Sequence, residues 1–139
     1  MAHVAAEEPT AAEAAAPRIV GVWKTIDDET GAAKSLVALS VTDSGELRGR
    51  VLEVFGQPDD LRCDKCEGAR KDQLVRGMTI LRGMQKEDEE WTGGEILDPK
   101  NGKTYRCTMA VQGDGKTLKV RGYIGFSLLG RTQYWKRHR

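Results

Sequence analysis

A chain of 139 residues is long enough for one domain with a single core and too short for two such domains. Its 22 Lys and Arg residues nearly balance 21 Asp and Glu residues, so a net charge of +1 gives no field that would draw the protein onto nucleic acid or an anionic membrane. No stretch reaches the roughly 18 to 20 consecutive apolar residues of a membrane-spanning helix. The 16 glycines and only two phenylalanines instead favour short strands joined by tight turns.

The N-terminal segment differs in composition from the rest of the chain. Residues 1–17 are rich in alanine and lack both the cationic start and the apolar core of a signal peptide. We expect residues 1–17 to be a disordered linker or the remnant of a removed leader, and residues 18–139 to form a single folded domain. A removed leader implies that the protein is periplasmic or secreted.

Eight short strands are predicted from apolar or alternating runs that turn residues separate. They span residues 20–25, 35–42, 47–55, 78–85, 91–97, 103–111, 117–124 and 131–137. Residues 56–77 interrupt this rhythm with proline, two cysteines and dense charge. This segment is therefore expected to be one long connection that contains a short helical turn.

The order of these strands predicts an all-β fold. Because no crossover helix separates the strands, each should pair with the next in an antiparallel meander. Eight such strands would leave two exposed edges unless the sheet closes, so we expect a small up-and-down antiparallel barrel, with a two-sheet sandwich as the alternative. A barrel of about eight strands is either filled by its own side chains or holds one small ligand.

Residues from both ends of the domain are expected to close this barrel: Gly21, Trp23, Arg131 and Arg137. Glycine lets the first strand start without crowding, and the Trp23 ring can cover the floor of a barrel. A guanidinium from Arg131 or Arg137 can stack on that ring and join the first strand to the last. Trp23 is thus expected to seal the barrel and not to contact a ligand.

Cys63 and Cys66 are the side chains for which the sequence most clearly suggests a chemical role. Zinc would require more ligands, but Cys107 lies within a predicted strand, and His3 and His138 lie in the predicted tails. A thioredoxin-like redox pair would require a helix in a βαβ setting, which the sequence lacks. We therefore favour a local disulfide that pins the long connection, with free thiols or a bond between Cys66 and Cys107 as the remaining alternatives.

Basic residues follow the two cysteines. Such residues commonly form a solvated face, but they can also gather at one mouth of the barrel and bind an anionic headgroup. The expected ligand-mouth residues are Arg70, Lys71, Arg76 and Arg82. The sequence contains no catalytic triad, paired-carboxylate pocket or phosphate loop, so we expect no catalytic residue, no metal site and no cofactor.

Several segments together resemble one bacterial family. They are residues 21–25, 63–71, 77–83, 93–105 and 120–135. As a set they are similar to the family known as domain of unknown function 2147 (DUF2147), over roughly residues 19–137. The resemblance implies a lipocalin-like barrel that is carried behind a signal peptide, and it assigns no catalytic or binding residue.

Two functions of different classes follow. The first is a non-enzymatic periplasmic barrel that binds an apolar or amphipathic small molecule, with a cavity floor near Trp23 and a mouth formed by residues 63–76. The alternative is a structural or protein-interaction module of the cell envelope with a filled interior. An empty, lined interior would favour the first function, whereas a packed interior with an exposed apolar patch would favour the second.

Overall fold

The computed structural model describes residues 18–124 and 130–139. The predicted N-terminal segment, residues 1–17, lies outside the described residues, as does most of the predicted connection before the last strand. The strands are β1 (Gly21–Ile26), β2 (Ala33–Val41), β3 (Leu47–Val54), β4 (Thr79–Glu87), β5 (Glu90–Asp98), β6 (Lys103–Val111), β7 (Thr117–Tyr123) and β8 (Arg131–Arg137). One 3₁₀ turn, Gly68–Arg70, lies in the long connection between β3 and β4.

These eight strands form a closed antiparallel barrel in which each strand pairs with the next and β8 returns to β1. The predicted all-β meander is confirmed, and the alternative of a two-sheet sandwich is wrong. The predicted helical turn in the long connection is also confirmed. The predicted bounds of every strand lie within two residues of the observed bounds, and for β6 and β8 the predicted and observed bounds are identical.

The interior of the barrel is filled by alternate side chains of its strands. In β3, Leu47, Gly49 and Val51 are buried, whereas Arg48 between them is exposed. Residue 49 is glycine because a Cβ atom there would lie 2.8 Å from the Leu39 side chain. The largest buried side chains across the barrel are Trp23, Trp91, Trp135, Leu47, Leu81, Met84, Met109 and Leu118.

Both ends of the barrel are covered by chain outside the strands. At the end where β1 begins, Ile19 is buried, and its carbonyl oxygen accepts a hydrogen bond of 2.9 Å from Trp23 Nε1. Because neighbouring strands are antiparallel, the connection between β3 and β4 lies at the opposite end. There Cys63, Cys66 and Val75 are buried and belong to the same core cluster as the barrel interior. The core therefore extends from one covered end to the other.

The long connection is held against the β5–β6 turn. Gly102 in that turn has a φ of 75°, and a Cβ atom on it would lie 1.9 Å from the Lys65 carbonyl oxygen. Cys63 Sγ lies 3.5 Å from the Pro99 carbonyl oxygen. The Cys63 backbone N–H also donates to the Gln73 carbonyl at 2.9 Å, which folds the connection back on itself. These close approaches fix the connection relative to the barrel.

The packing of the barrel wall can be tested at Gly94, where a Cβ atom would lie 2.4 Å from the Arg82 carbonyl oxygen and 2.6 Å from Met84 Sδ. The matched control is Gly113 in the β6–β7 turn, which has nothing within 4 Å of the same position. We expect Gly94→Ala to lower the free energy of unfolding by about 1 to 3 kcal/mol. Gly113→Ala should change it by less than about 1 kcal/mol. Urea unfolding followed by tryptophan fluorescence measures both, and equal midpoints would contradict the described wall.

Candidate functional site

Strands β1 and β8 close the barrel over a short seam. Only two residue pairs are in register, Trp23 with Arg137 and Lys24 with Lys136. Beyond the end of β8, the Val22 backbone N–H donates a hydrogen bond of 2.9 Å to the Arg139 carbonyl oxygen. The seam therefore depends on side-chain contacts in addition to the sheet ladder.

Arg137 supplies those contacts. Its guanidinium lies over the Trp23 ring, 4.3 Å from the ring centroid. The same guanidinium donates hydrogen bonds to the carbonyl oxygens of Gly115 at 2.7 Å and Val20 at 3.1 Å. Gly21 is required here because a Cβ atom on it would lie 2.5 Å from Arg137 Nη1. Three of the predicted closure residues thus meet at one end of the barrel.

Arg131 lies at the opposite end of β8 and does not stack on Trp23. It donates hydrogen bonds to the Asp28 carboxylate, one of them at 2.7 Å, and lies 3.7 Å from the Glu29 carboxylate. The hydrogen bond to Asp28 raises the pKa of Arg131. Because β8 runs antiparallel to β1, only a residue near the end of β8 can reach Trp23. The expectation that Arg131 shares in closure around Trp23 is therefore corrected.

The acidic residues of the β1–β2 turn already have partners within the protein. Oxygen atoms of Asp27, Asp28 and Glu29 lie within 4.8 Å of one another. Asp27 accepts hydrogen bonds from the backbone N–H groups of Glu29 at 2.8 Å and Thr30 at 3.1 Å, and these bonds lower its pKa. Arg131 pairs with the other two carboxylates. The cluster thus serves to fix this turn to β8.

Cys63 and Cys66 form a disulfide, with 5.3 Å between their Cα atoms. The predicted disulfide is therefore present, and neither sulfur is available to pair with Cys107. Cys107 keeps its thiol in the barrel core, where burial raises its pKa to about 12. The disulfide lies in the segment that covers the barrel end and so constrains the residues on either side of it.

Two pockets of residues 18–124 and 130–139 lie on the outer surface of the barrel. One, of about 460 Å³, lies between the long connection and the outer face of β4. We call it the arginine groove because four arginines line it, Arg62, Arg70, Arg76 and Arg82. Three of the four predicted ligand-mouth residues thus lie together. Lys71 does not line the groove, since its ammonium group donates to the Asp64 carbonyl oxygen.

The guanidinium groups of the arginine groove are neutralised to different degrees. Arg76 pairs with Asp59 at 3.0 Å, and Arg82 pairs with Glu95 at 3.0 Å. Arg70 forms no ion pair with any described residue. Burial, followed by the positive charge of Arg82, lowers the pKa of Arg70. A guanidinium in this position favours the approach of an anion.

A second pocket, of about 330 Å³, lies on the barrel wall and shares the lining residue Arg82 with the arginine groove. We call it the glycine pocket, and it is lined by Glu46, Gly83, Gly93, Gly94, Glu95 and Arg106, together with Arg82 from the groove. Gly93 has a φ of 82° and nothing within 4 Å of the position of a Cβ atom. Backbone atoms therefore form part of the pocket surface.

Glu46 is fixed at the edge of the glycine pocket. Its carboxylate accepts a hydrogen bond from Arg48 Nη2 at 3.2 Å and another from the Gly83 backbone N–H at 2.5 Å. These two hydrogen bonds lower the pKa of Glu46. The charged form of Glu46 is thus held in place next to the bulged backbone of β4.

The sequence interpretation did not include Arg62, Arg106 or the glycine pocket. Glycines in the middle of strands were a usable signal, because they often mark a bulge or the close approach of a ligand. Gly93 and Gly94 are adjacent in β5, and Gly83 lies in the neighbouring strand β4. Their position on one wall follows from the pairing of these two strands.

The closed eight-stranded meander, with a tryptophan and an arginine at the seam, is a barrel of the lipocalin-like class. A solved structure of a protein from the human pathogen Helicobacter pylori, described as belonging to the lipocalin family, has a TM-score of 0.75 to this chain. The match covers 87% of this chain and 83% of that one at 19% sequence identity. At this identity, the similarity shows the fold alone.

The family model for an uncharacterized protein conserved in bacteria, DUF2147, matches residues 21–137. The chain therefore belongs to this family, and the resemblance found in the sequence is confirmed. No curated protein matches the chain. Among the residues with described structure, no helix has the length and apolarity needed to cross a membrane.

Arg137 and Arg131 offer a matched test of the seam. Arg137→Ala should lower the free energy of unfolding by about 1.5 to 3 kcal/mol, because it removes the cation–π contact and leaves carbonyl oxygens without a donor. Arg131→Ala should lower the free energy of unfolding by less than Arg137→Ala does, since its ion pair is exposed to solvent. Thermal unfolding by circular dichroism compares the two variants. A larger effect of Arg131→Ala would show that the barrel is not closed at Arg137.

The cysteine assignments can be tested by alkylation and mass spectrometry. The folded protein should take up no label, because the Cys107 thiol is buried and its pKa is raised to about 12. After denaturation without reductant we expect one adduct, and after reduction three, since the chain has three cysteines. More than one adduct before reduction would contradict the disulfide between Cys63 and Cys66.

Proposed function

We propose that this protein is a non-enzymatic binding barrel that holds an anionic small molecule in the arginine groove on its outer surface. The observation that carries this proposal is the environment of Arg70. Arg70 lines the groove with Arg62, Arg76 and Arg82 and forms no ion pair with any described residue, whereas Arg76 and Arg82 each pair with a carboxylate. The uncompensated positive charge of Arg70 favours the binding of an anion.

The filled interior is the reason for placing the ligand outside the barrel. Trp23 is fully buried under Arg137, and the disulfide segment covers the opposite end. The interior of the described barrel is occupied by tryptophan, leucine and methionine side chains. This arrangement argues against the apolar or amphipathic ligand inside the barrel that the sequence suggested, and it favours a ligand bound by charge on the outer surface.

The groove has the chemistry and the size of a small-molecule site. Guanidinium groups can donate paired hydrogen bonds to a carboxylate or a phosphate. Leu74 and Met78 line the same groove and offer apolar contact beside the charges. A volume of about 460 Å³ lies within the range of roughly 300 to 1,000 Å³ that is typical of such sites.

We also propose that the protein acts outside the cytoplasm, in the periplasm or after secretion. The disulfide between Cys63 and Cys66 supports this location, because disulfides persist in oxidising compartments. A permanent disulfide would keep the arginine groove in one shape. The location is therefore consistent with the proposed binding role.

A second candidate function is a structural or protein-interaction module of the cell envelope. The filled interior supports it, since such a module needs no cavity. Among residues 18–124 and 130–139, the exposed large hydrophobic residues belong to four separate parts of the fold, so they do not define one docking patch. They are Val20 before β1, Leu74 in the long connection, Ile124 after β7 and Tyr134 in β8.

Binding of inorganic phosphate, measured by isothermal titration calorimetry at low ionic strength, tests the proposed function. We expect Arg70→Ala to weaken binding by about tenfold or more, because a charge-assisted hydrogen bond contributes about 1.5 to 3 kcal/mol. The control is Lys119→Ala, which removes one positive charge from an exposed position on β7, away from β4. Absence of phosphate binding, or equal binding by wild type and Arg70→Ala, would sink the proposal.

A further inference from the structure

The arginine groove and the glycine pocket are neighbouring parts of one surface on the outer wall, since Arg82 lines both. We propose that this surface binds an acidic oligosaccharide, with a carboxylate or phosphate group in the arginine groove and a neighbouring sugar ring in the glycine pocket. The inference rests on the proposed function and names the class of ligand. It is carried by the different chemistry of the two halves of the surface.

The glycine pocket presents hydrogen-bond donors and acceptors in alternation. Glu95 is in register with Arg82 on β4 and with Arg106 on β6. The three side chains therefore form a row across adjacent strands, with a carboxylate between two guanidinium groups. Sugar hydroxyls both donate and accept hydrogen bonds, so they can interact with each member of such a row.

The floor of the glycine pocket allows a ring to approach the backbone. Gly93 has no atom within 4 Å of the position that a Cβ would take. Gly83, on the neighbouring strand, also has a positive φ, of 78°. Glycine at position 93 leaves the backbone surface open where another residue would place a side chain.

The charges of the glycine pocket argue against a second anionic group there. Glu46 and Glu95 both line it, and each carboxylate would repel a negative ligand group. Neither pocket has a tryptophan, tyrosine or phenylalanine among its lining residues, so the described surface offers no ring for stacking a nucleobase. A ligand with one charged end for the arginine groove and a neutral, hydroxyl-rich part for the glycine pocket therefore fits the chemistry of both.

Calorimetry with three saccharides and with inorganic phosphate tests this inference on the full chain. The saccharides are galacturonic acid, the disaccharide galacturonosyl-galactose, which has one carboxylate and one neutral ring, and the neutral disaccharide galactobiose. We expect galacturonosyl-galactose to bind about fivefold or more tightly than galacturonic acid, because the neutral ring adds hydrogen bonds. Galactobiose should bind about tenfold or more weakly than galacturonosyl-galactose, because it lacks the charged group.

Variants on either side of Arg82 separate the two halves. Arg106→Ala should remove the advantage of galacturonosyl-galactose over galacturonic acid while leaving the affinity for phosphate unchanged. Gly93→Asn, in which asparagine tolerates the positive φ and its side chain fills the pocket, should give the same selective loss. Arg70→Ala should weaken the binding of every anionic ligand, whereas Lys119→Ala should leave the binding of each ligand unchanged. Circular dichroism of each variant checks that the barrel is folded.

The outcomes distinguish this inference from the proposed function. Equal affinity for the acidic monosaccharide and disaccharide, or tight binding of galactobiose, would overturn the saccharide assignment. If phosphate binding still depends on Arg70 in that case, the proposed function stands. If neither phosphate nor any saccharide binds, both fail together.

Discussion

The contact between Arg137 and Trp23 is the interaction on which the rest of the structure depends. A meander of eight strands buries its core only if its terminal strands meet, because open edges would expose both backbone and interior. Two residue pairs in register provide little of that seam. The guanidinium of Arg137 stacks on the Trp23 ring. It also donates hydrogen bonds to Val20, in the chain before β1, and to Gly115, in the β6–β7 turn. One side chain therefore holds together three parts of the barrel end.

A closed seam also decides where recognition can occur. Once Trp23 is sealed, all three tryptophans join a single buried cluster that Ile19 and Cys63 extend to the two ends. The lipocalin-like fold is compatible with an interior ligand, but the fold alone does not specify function. In this chain, large side chains occupy the interior. The pockets lie instead on the outer wall, where the long connection and the bulged glycines make it irregular.

Most of the fold could be predicted because its signals are local. Alternating side chains and turn residues define the strands, as the agreement in β6 and β8 shows. Local sequence signals could not tell whether Arg131 or Arg137 stacks on Trp23, because the answer depends on the register of β8 against β1. The groove was predicted only in part for the same reason. Arg70 and Arg82 meet after the long connection folds against β4, whereas the adjacent Lys71 points to a backbone carbonyl within that connection.

The segment that covers the barrel end is also the segment that shapes the arginine groove. Holding Arg70 near the positive charge of Arg82 is electrostatically unfavourable, and a free loop would separate the two side chains. Here the buried disulfide and the close approach of Gly102 to Lys65 hold the segment against the barrel, so its burial offsets that cost. A groove that exists before binding loses less conformational entropy when a ligand arrives. In the proposed function, the barrel core thus contributes to recognition without touching the ligand, by keeping Arg70 in place.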